Sequence, residues 1–173
     1  MNSLPGSCLR VLVVCFSHTG NTLAIARMIR DRTCGVLYGL EPVVGYEAAT
    51  VEVVSRWEVE ENLLPDLRFS VPCMCHYDLI LVGGPVWHDS VPAPLRSFLG
   101  LTDFYGRRVV PFCTHERGPA GFFAEFAKRS RNAVLLPGFD IDITRYHLIA
   151  ESAVSLDASL AGIGIPNLRC VGM

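Results

Sequence analysis

Three short segments combine side chains that could hold a ligand. The first is residues 17–22, Ser-His-Thr-Gly-Asn-Thr, which sits between an apolar run and a stretch of helical periodicity. Free backbone N–H groups at a helix N-terminus favour an anion, and Gly20 would let the backbone approach it closely. Ser17, Thr19 and Thr22 add hydroxyl donors, and His18 and Asn21 can donate as well. The turn contains no Lys or Arg, so a phosphate monoester would be held by neutral donors and the helix dipole, unlike a nucleotide loop of the GxxxxGK[ST] type. Ser, Thr and Asn also cap helices with no ligand present, and the residue types alone leave both roles open.

The second segment is Pro85, Val86, Trp87 and His88, again just after an apolar run. An indole here could cover one face of a large flat ring by stacking, with Pro85 stiffening the loop; the alternative is a Trp packed on the core or on the next helix. The third runs from Thr114 through His115, Glu116, Arg117 and Gly118 to Gly121. Arg117 could hold negative charge and Glu116 would oppose it, while a solvated surface triplet fits equally well. His18 and His88 could hydrogen-bond a phosphate or a ring, or have no role.

The cysteines point elsewhere. Cys73, Cys75 and His76 form a C-x-C-H that lacks the fourth ligand and the longer pair spacing of structural zinc, so it reads as a loop entering a strand. Cys15 and Cys113 have Asn21 and Pro119 six positions on, where a C-x5-R nucleophile needs Arg. Both read as buried strand positions. Seven cysteines, an odd number without paired spacing, suggest reduced thiols in a cytosolic protein.

The elements that must position these segments follow from periodicity. Residues 9–16 are an unbroken Val-rich run, as in a parallel strand buried on both faces, and residues 23–32 place Ile25, Met28 and Ile29 on one helical face. The same order of strand, turn and helix recurs at 77–84 with 92–99 and at 107–114 with 121–131. A short run at 133–136 reads as the last strand, and Ile149, Ala153, Leu156 and Leu160 mark the last helix. Between 35 and 70, the run Val36–Val43 is preferred as the second strand over Val51–Val54, which fits a helix containing Trp57. Strands alternating with helices give an α/β fold with a parallel sheet, and its ligands bind beyond the carboxyl ends of the strands.

Taken in order, the segments resemble the flavodoxin family. Ser17, Thr19, Gly20 and Thr22 match the phosphate-loop pattern [ST]-x-T-G-x-T. Residues 77–99, YDLILVGGPVWHDSVPAPLRSFL, resemble YDxIxxGxPxWxxxxPxPxxxFL, and residues 106–121 resemble the family's strand and flavin-loop segment. His115, Glu116 and Arg117 depart from the small residues common there. The resemblance implies a three-layer flavodoxin-like sandwich with a five-stranded parallel sheet, order 2-1-3-4-5, and helices on both faces; flavodoxin is itself a type case of the carboxyl-end rule. It also implies FMN as cofactor, held by residues 17–22, 85–88, 114–118 and Gly121. The implied function is an FMN-binding oxidoreductase or electron-transfer protein. Its donor would be a redox partner protein or NAD(P)H. Two alternatives are an NAD(P)H-dependent quinone or flavin reductase, which is often a homodimer, and a flavin-free interaction domain that keeps the fold.

Composition sets the outer bounds. At 173 residues and half apolar, the chain suits a single domain spanning 1–173, and no repeat or linker divides it. A net charge of -2 gives no field to attract nucleic acid or an acidic membrane surface. The N-terminal apolar stretch is too short for a signal peptide or a membrane span, so a cytoplasmic protein is expected.

Overall fold

The first Val-rich run forms strand β1 (Val11–Phe16), and all six of its residues are buried. Leu12, Val14 and Phe16 enter one core with Phe98, Phe104 and Phe126; Val11, Val13 and Cys15 enter another with Ile25, Ile29 and Leu156. A strand buried on both faces must be central in its sheet, which is why its sequence shows no alternation. The computed structural model describes residues 9–144 and 149–165. Cys8 and Cys170, expected as reduced thiols, lie outside the described residues.

From β1 the chain continues through α1 (Asn21–Thr33), β2 (Val36–Leu40) and α2 (Val51–Glu60). A 3-10 turn at Met74–His76 leads into β3 (Leu79–Pro85), followed by α3 (Ala93–Leu101), β4 (Arg108–His115) and α4 (Phe122–Arg129). The segments β5 (Val134–Leu135), β6 (Phe139–Asp142) and α5 (Ile149–Gly162) complete it. All strand pairs are parallel and the order is β2-β1-β3-β4-β5. Residues of α1 and α5 fill one core, and residues of α3 and α4 fill the other, giving the expected three layers. The second strand is the earlier of its two candidates. Val51–Val54 instead opens α2, where Val53 and Trp57 face solvent.

The last strand differs from the expectation in extent. Val134 and Leu135 pair with Arg108 and Val109, an offset that then shifts by one residue, so that Phe139–Asp142 pair with Phe112–His115. Pro137, which has no N–H to give a ladder, stands at the break. The run 133–136 is therefore only the first half of this edge, and the second half carries Asp140 to the end of β4.

Candidate functional site

The loops after β1, β3 and β4 and the first half of α2 surround a cavity of about 680 Å³. It lies beyond the carboxyl ends of the strands, where the chain leaves β1 for β2 on one side and later returns to β3 on the other. That reversal keeps the two connections from filling the same space and leaves a crevice between them.

The loop after β1 contributes Ser17, His18, Thr19, Asn21 and Thr22 to the wall. Gly20 is not among the lining residues; it is the N-cap of α1 and has φ of 94°, a left-handed conformation that a β-carbon would oppose. Its N–H donates to Ser17 Oγ at 3.1 Å, which folds the loop back on itself. Thr22 is buried and shares a hydroxyl–hydroxyl hydrogen bond of 2.7 Å with Thr114 at the end of β4. One of its interactions is therefore spent joining the start of α1 to the third loop.

Pro85, Val86, Trp87 and His88 line the cavity from the loop after β3. Trp87 and Ser90 exchange backbone hydrogen bonds of 3.1 and 2.9 Å across a two-residue turn. At its tip His88 and Asp89 have φ of 48° and 58°, as a primed hairpin turn requires. Two successive non-glycine residues in this region store strain, and such strain persists only where neighbours fix it. Here they do. His88 Nε2 is 2.8 Å from Oγ of buried Ser55 on α2, and the Gly121 N–H donates to the Asp89 carbonyl at 2.9 Å. A β-carbon at Gly121 would lie 2.8 Å from that carbonyl, so Gly121 serves the junction of two loops and is not itself in the wall.

The Trp87 ring is half-buried and meets Phe16, Tyr46 and His18 edge-on, with centroids 5.2, 5.1 and 6.0 Å apart. Tyr46 is held by donating its hydroxyl to Glu58 at 2.6 Å. Burial raises the Glu58 carboxyl above its ordinary range, and burial together with Glu58 raises the Tyr46 phenol well above its own. Beneath the loop, Arg96 is 4% exposed and donates to the carbonyls of Val91 (2.8 Å) and Val59 (3.2 Å) and to Ser90 Oγ (2.8 Å). Its burial lowers the guanidinium pKa. This one side chain ties the Trp87 loop to the end of α2 and to α3.

In the third segment, Thr114, His115, Glu116, Arg117 and Gly118 all line the cavity, but they divide by burial. Thr114 and His115 are the buried last residues of β4, whereas Glu116 and Arg117 are exposed. His115 Nδ1 accepts the Gly118 N–H at 2.8 Å, so Nε2 carries the proton and donates to Asp140 at 2.8 Å. Only Glu116 and Arg117 keep the solvated character considered for the triplet.

Sequence reasoning did not single out α2 as a wall of the site, yet Val51, Glu52, Ser55 and Arg56 line it, as do Asp89 and Ile143. Val51 and Ser55 are one turn apart, and a serine one turn beyond Val51 in a Val-rich segment was the available signal. Arg56 is paired with Glu52 at 2.7 Å, so the rim carries charges of both signs.

Cys15 and Cys113 are free, buried thiols as expected; burial pushes Cys15 up to about 12 and raises Cys113 further. The expectation of reduced thiols fails at Cys73 and Cys75, which are joined as a disulfide, and Cys34 is disulfide-bonded as well. The 3-10 turn brings the Cα atoms of Cys73 and Cys75 to 5.4 Å, within bridging range. No helix among the described residues is long and apolar enough to cross a membrane.

The sequence model described as Flavodoxin matches residues 10–139. Among curated proteins none matches the chain. Of the solved structures, a candidate flavoprotein from Bacteroides eggerthii is 24% identical with a TM-score of 0.76, over 90% of this chain and 98% of that one. A flavoprotein from Lactobacillus acidophilus, solved in complex with FMN, is 19% identical with a TM-score of 0.70, over 81% and 99%. Oxidised flavodoxin 2 from Bacillus cereus is 20% identical with a TM-score of 0.57, over 90% and 97%. At these identities the likeness is one of fold.

Proposed function

Given that the chain belongs to the flavodoxin family, we propose that it binds one FMN in the cavity beyond β1, β3 and β4. It then works as a flavodoxin-like oxidoreductase or electron-transfer protein, with residues 1–173 as one domain. The observation that carries this reading is the cavity itself. Its volume of about 680 Å³ suits a cofactor, and its wall combines hydroxyl-bearing residues at a helix N-terminus with a half-buried indole. The FMN complex of the Lactobacillus acidophilus flavoprotein, which shares the fold, supports the same assignment.

Bound FMN supplies the redox chemistry of its ring, in one- or two-electron steps. The chain's own residues bind and orient it. Ser17, Thr19 and the N–H groups opening α1 receive the phosphate, with His18 and Asn21 beside them and Gly20 turning the backbone. Thr22 holds this loop to Thr114. Pro85, Val86, Trp87 and His88 wall the ring compartment on one side; His115, Glu116, Arg117 and Gly118 wall it on the other, with Gly121 joining the two loops. Purified protein should show flavin bands, alone or after FMN is added, and should quench FMN fluorescence. A colourless protein that leaves FMN fluorescence unchanged would turn the assignment to a flavin-free interaction domain.

One observation favours a reductase over a dedicated protein carrier. Arg56 and Arg117 both stand exposed at the rim, where either could receive the phosphate of a nicotinamide cofactor, and a net charge of -2 gives little field to draw in a basic protein partner. On this reading NAD(P)H would be the electron donor and a small quinone one acceptor, in a cytoplasmic setting and with a homodimer as one option. Anaerobic mixing with NADPH and then NADH decides it. Bleaching of the flavin band supports the reductase, and its absence with rapid reduction by a flavodoxin reductase supports the carrier.

A further inference from the structure

The sequence C-x-C-H at 73–76 takes no part in the flavin site. It precedes β3 at the end of the sheet opposite the cavity, and the seven residues of β3 span about 20 Å. Met74 is 2% exposed and pins the 3-10 turn to the core, while Cys73, Cys75 and His76 are exposed. The Tyr77 N–H closes the turn on the Met74 carbonyl at 3.1 Å, and Arg107 donates to the Cys75 carbonyl at 3.2 Å. On this fixed backbone the two cysteines are joined as a disulfide, and a His76 ring nitrogen lies within 4.8 Å of both sulfurs.

A bridge across one intervening residue closes so short a loop that it withdraws little freedom from the unfolded chain, and Met74 already anchors the turn. Stapling is therefore a poor account of it. With both sulfurs bonded to each other, only His76 would remain for a metal. An exposed disulfide beside an imidazole is instead open to a thiolate.

We propose that Cys73, Cys75 and His76 form a thiol–disulfide exchange site, separate from the flavin cavity, whose co-substrate is a dithiol. A thiolate of the dithiol attacks one cysteine sulfur, a mixed disulfide forms, and the Cys73–Cys75 bond breaks with its electron pair leaving on the other sulfur. That sulfur takes a proton, for which the His76 imidazole is in reach. The second thiolate of the dithiol then attacks the mixed disulfide and releases the remaining cysteine as a thiolate, which takes its proton from water. In sum the protein gains two electrons and two protons, and the dithiol becomes its disulfide.

The test is differential alkylation of the folded, full-length protein equilibrated in dithiothreitol buffers of graded oxidation. Cleavage at Arg68 and Arg96 gives a peptide, residues 69–96, that carries Cys73 and Cys75 and no other cysteine. This peptide should pass between unlabelled and doubly labelled forms in one two-electron transition, and His76→Ala should slow the reduction about tenfold at neutral pH. Incubated with glutathione disulfide, a Cys73→Ser variant should keep one glutathione on Cys75 and release the other as its thiol. Full double labelling in the most oxidising buffer, or resistance to dithiothreitol until the protein is unfolded, overturns the proposal. So does protection of the reduced pair from alkylation by one equivalent of zinc, which would make it a metal site. FMN binding enters none of these readouts, so failure here leaves the cavity assignment where it stands.

Discussion

Arg96→Met tests how the Trp87 loop is held. The guanidinium is 4% exposed and its hydrogen-bond partners are all uncharged, the Val91 and Val59 carbonyls and Ser90 Oγ at 2.8 to 3.2 Å, with Glu125 acting on it only through space. Hydrogen bonds from a charged donor contribute about 1.5 to 3 kcal/mol each, so three amount to roughly 4.5 to 9 kcal/mol in gross terms. Against this stands the cost of burying the cation, several kcal/mol. Methionine removes that cost and fills most of the volume. However, it orphans the Val91 carbonyl and leaves Val59 only the backbone donors at the end of α2, the Glu61 N–H and the long 3.4 Å bond from the Asn62 N–H, while Ser90 can turn to another partner. Two weakened carbonyls and a released loop outweigh the relief, and the expected net loss is about 2 to 4 kcal/mol. Lysine keeps the charge but cannot reach three divergent acceptors, so Arg96→Lys should fall between methionine and the parent. Urea unfolding at pH 7, followed by circular dichroism, measures both. A methionine variant as stable as the parent would show that desolvation dominates here, and the reasoning about this anchor would be wrong.

Other outcomes follow from the same geometry. Thr22→Val should cost about 1 to 2 kcal/mol by leaving the Thr114 hydroxyl buried and unpaired, and the double change with Thr114→Val should cost about 1 kcal/mol less than the sum, a coupling that a denaturation cycle detects. FMN-dependent quenching of Trp fluorescence should be lost in Trp87→Leu, since Trp57 is exposed on α2; unchanged quenching would move the ring away from this loop. Asp89→Gly should raise stability by about 0.5 kcal/mol, because φ of 58° costs an L-residue more than glycine loses in unfolded freedom. Thermal unfolding checks the sign. Burial raises Cys15 from 9.0 to about 12, so stability is full below about pH 9 and falls as pH rises toward 12, by about 1.4 kcal/mol per pH unit for this thiol. Cys15→Ala should flatten that decline by its own share in urea unfolding at pH 8 and pH 10.

The order of elements and the three loops that meet at the site are legible in local residue patterns alone. Strands buried on both faces must be apolar throughout, as Val11–Phe16 is, and a turn between strand and helix must carry residues such as Ser17, Gly20 and Thr22; both demands are local and are written into neighbouring positions. Other features were decided only when distant segments packed. The second half of the last strand, Phe139–Asp142, was hidden because Pro137 and Gly138 read locally as a stop, although β4 offers Phe112–His115 as a partner beyond the break. That pairing brings Asp140 to His115 and removes His115 from the solvated triplet. The part of α2 in the wall, the hold of Ser55 on His88, and the bond between Thr22 and Thr114 join residues up to 92 positions apart. Periodicity reports which face of an element is buried, but it carries nothing about which side chain from another element will meet it there.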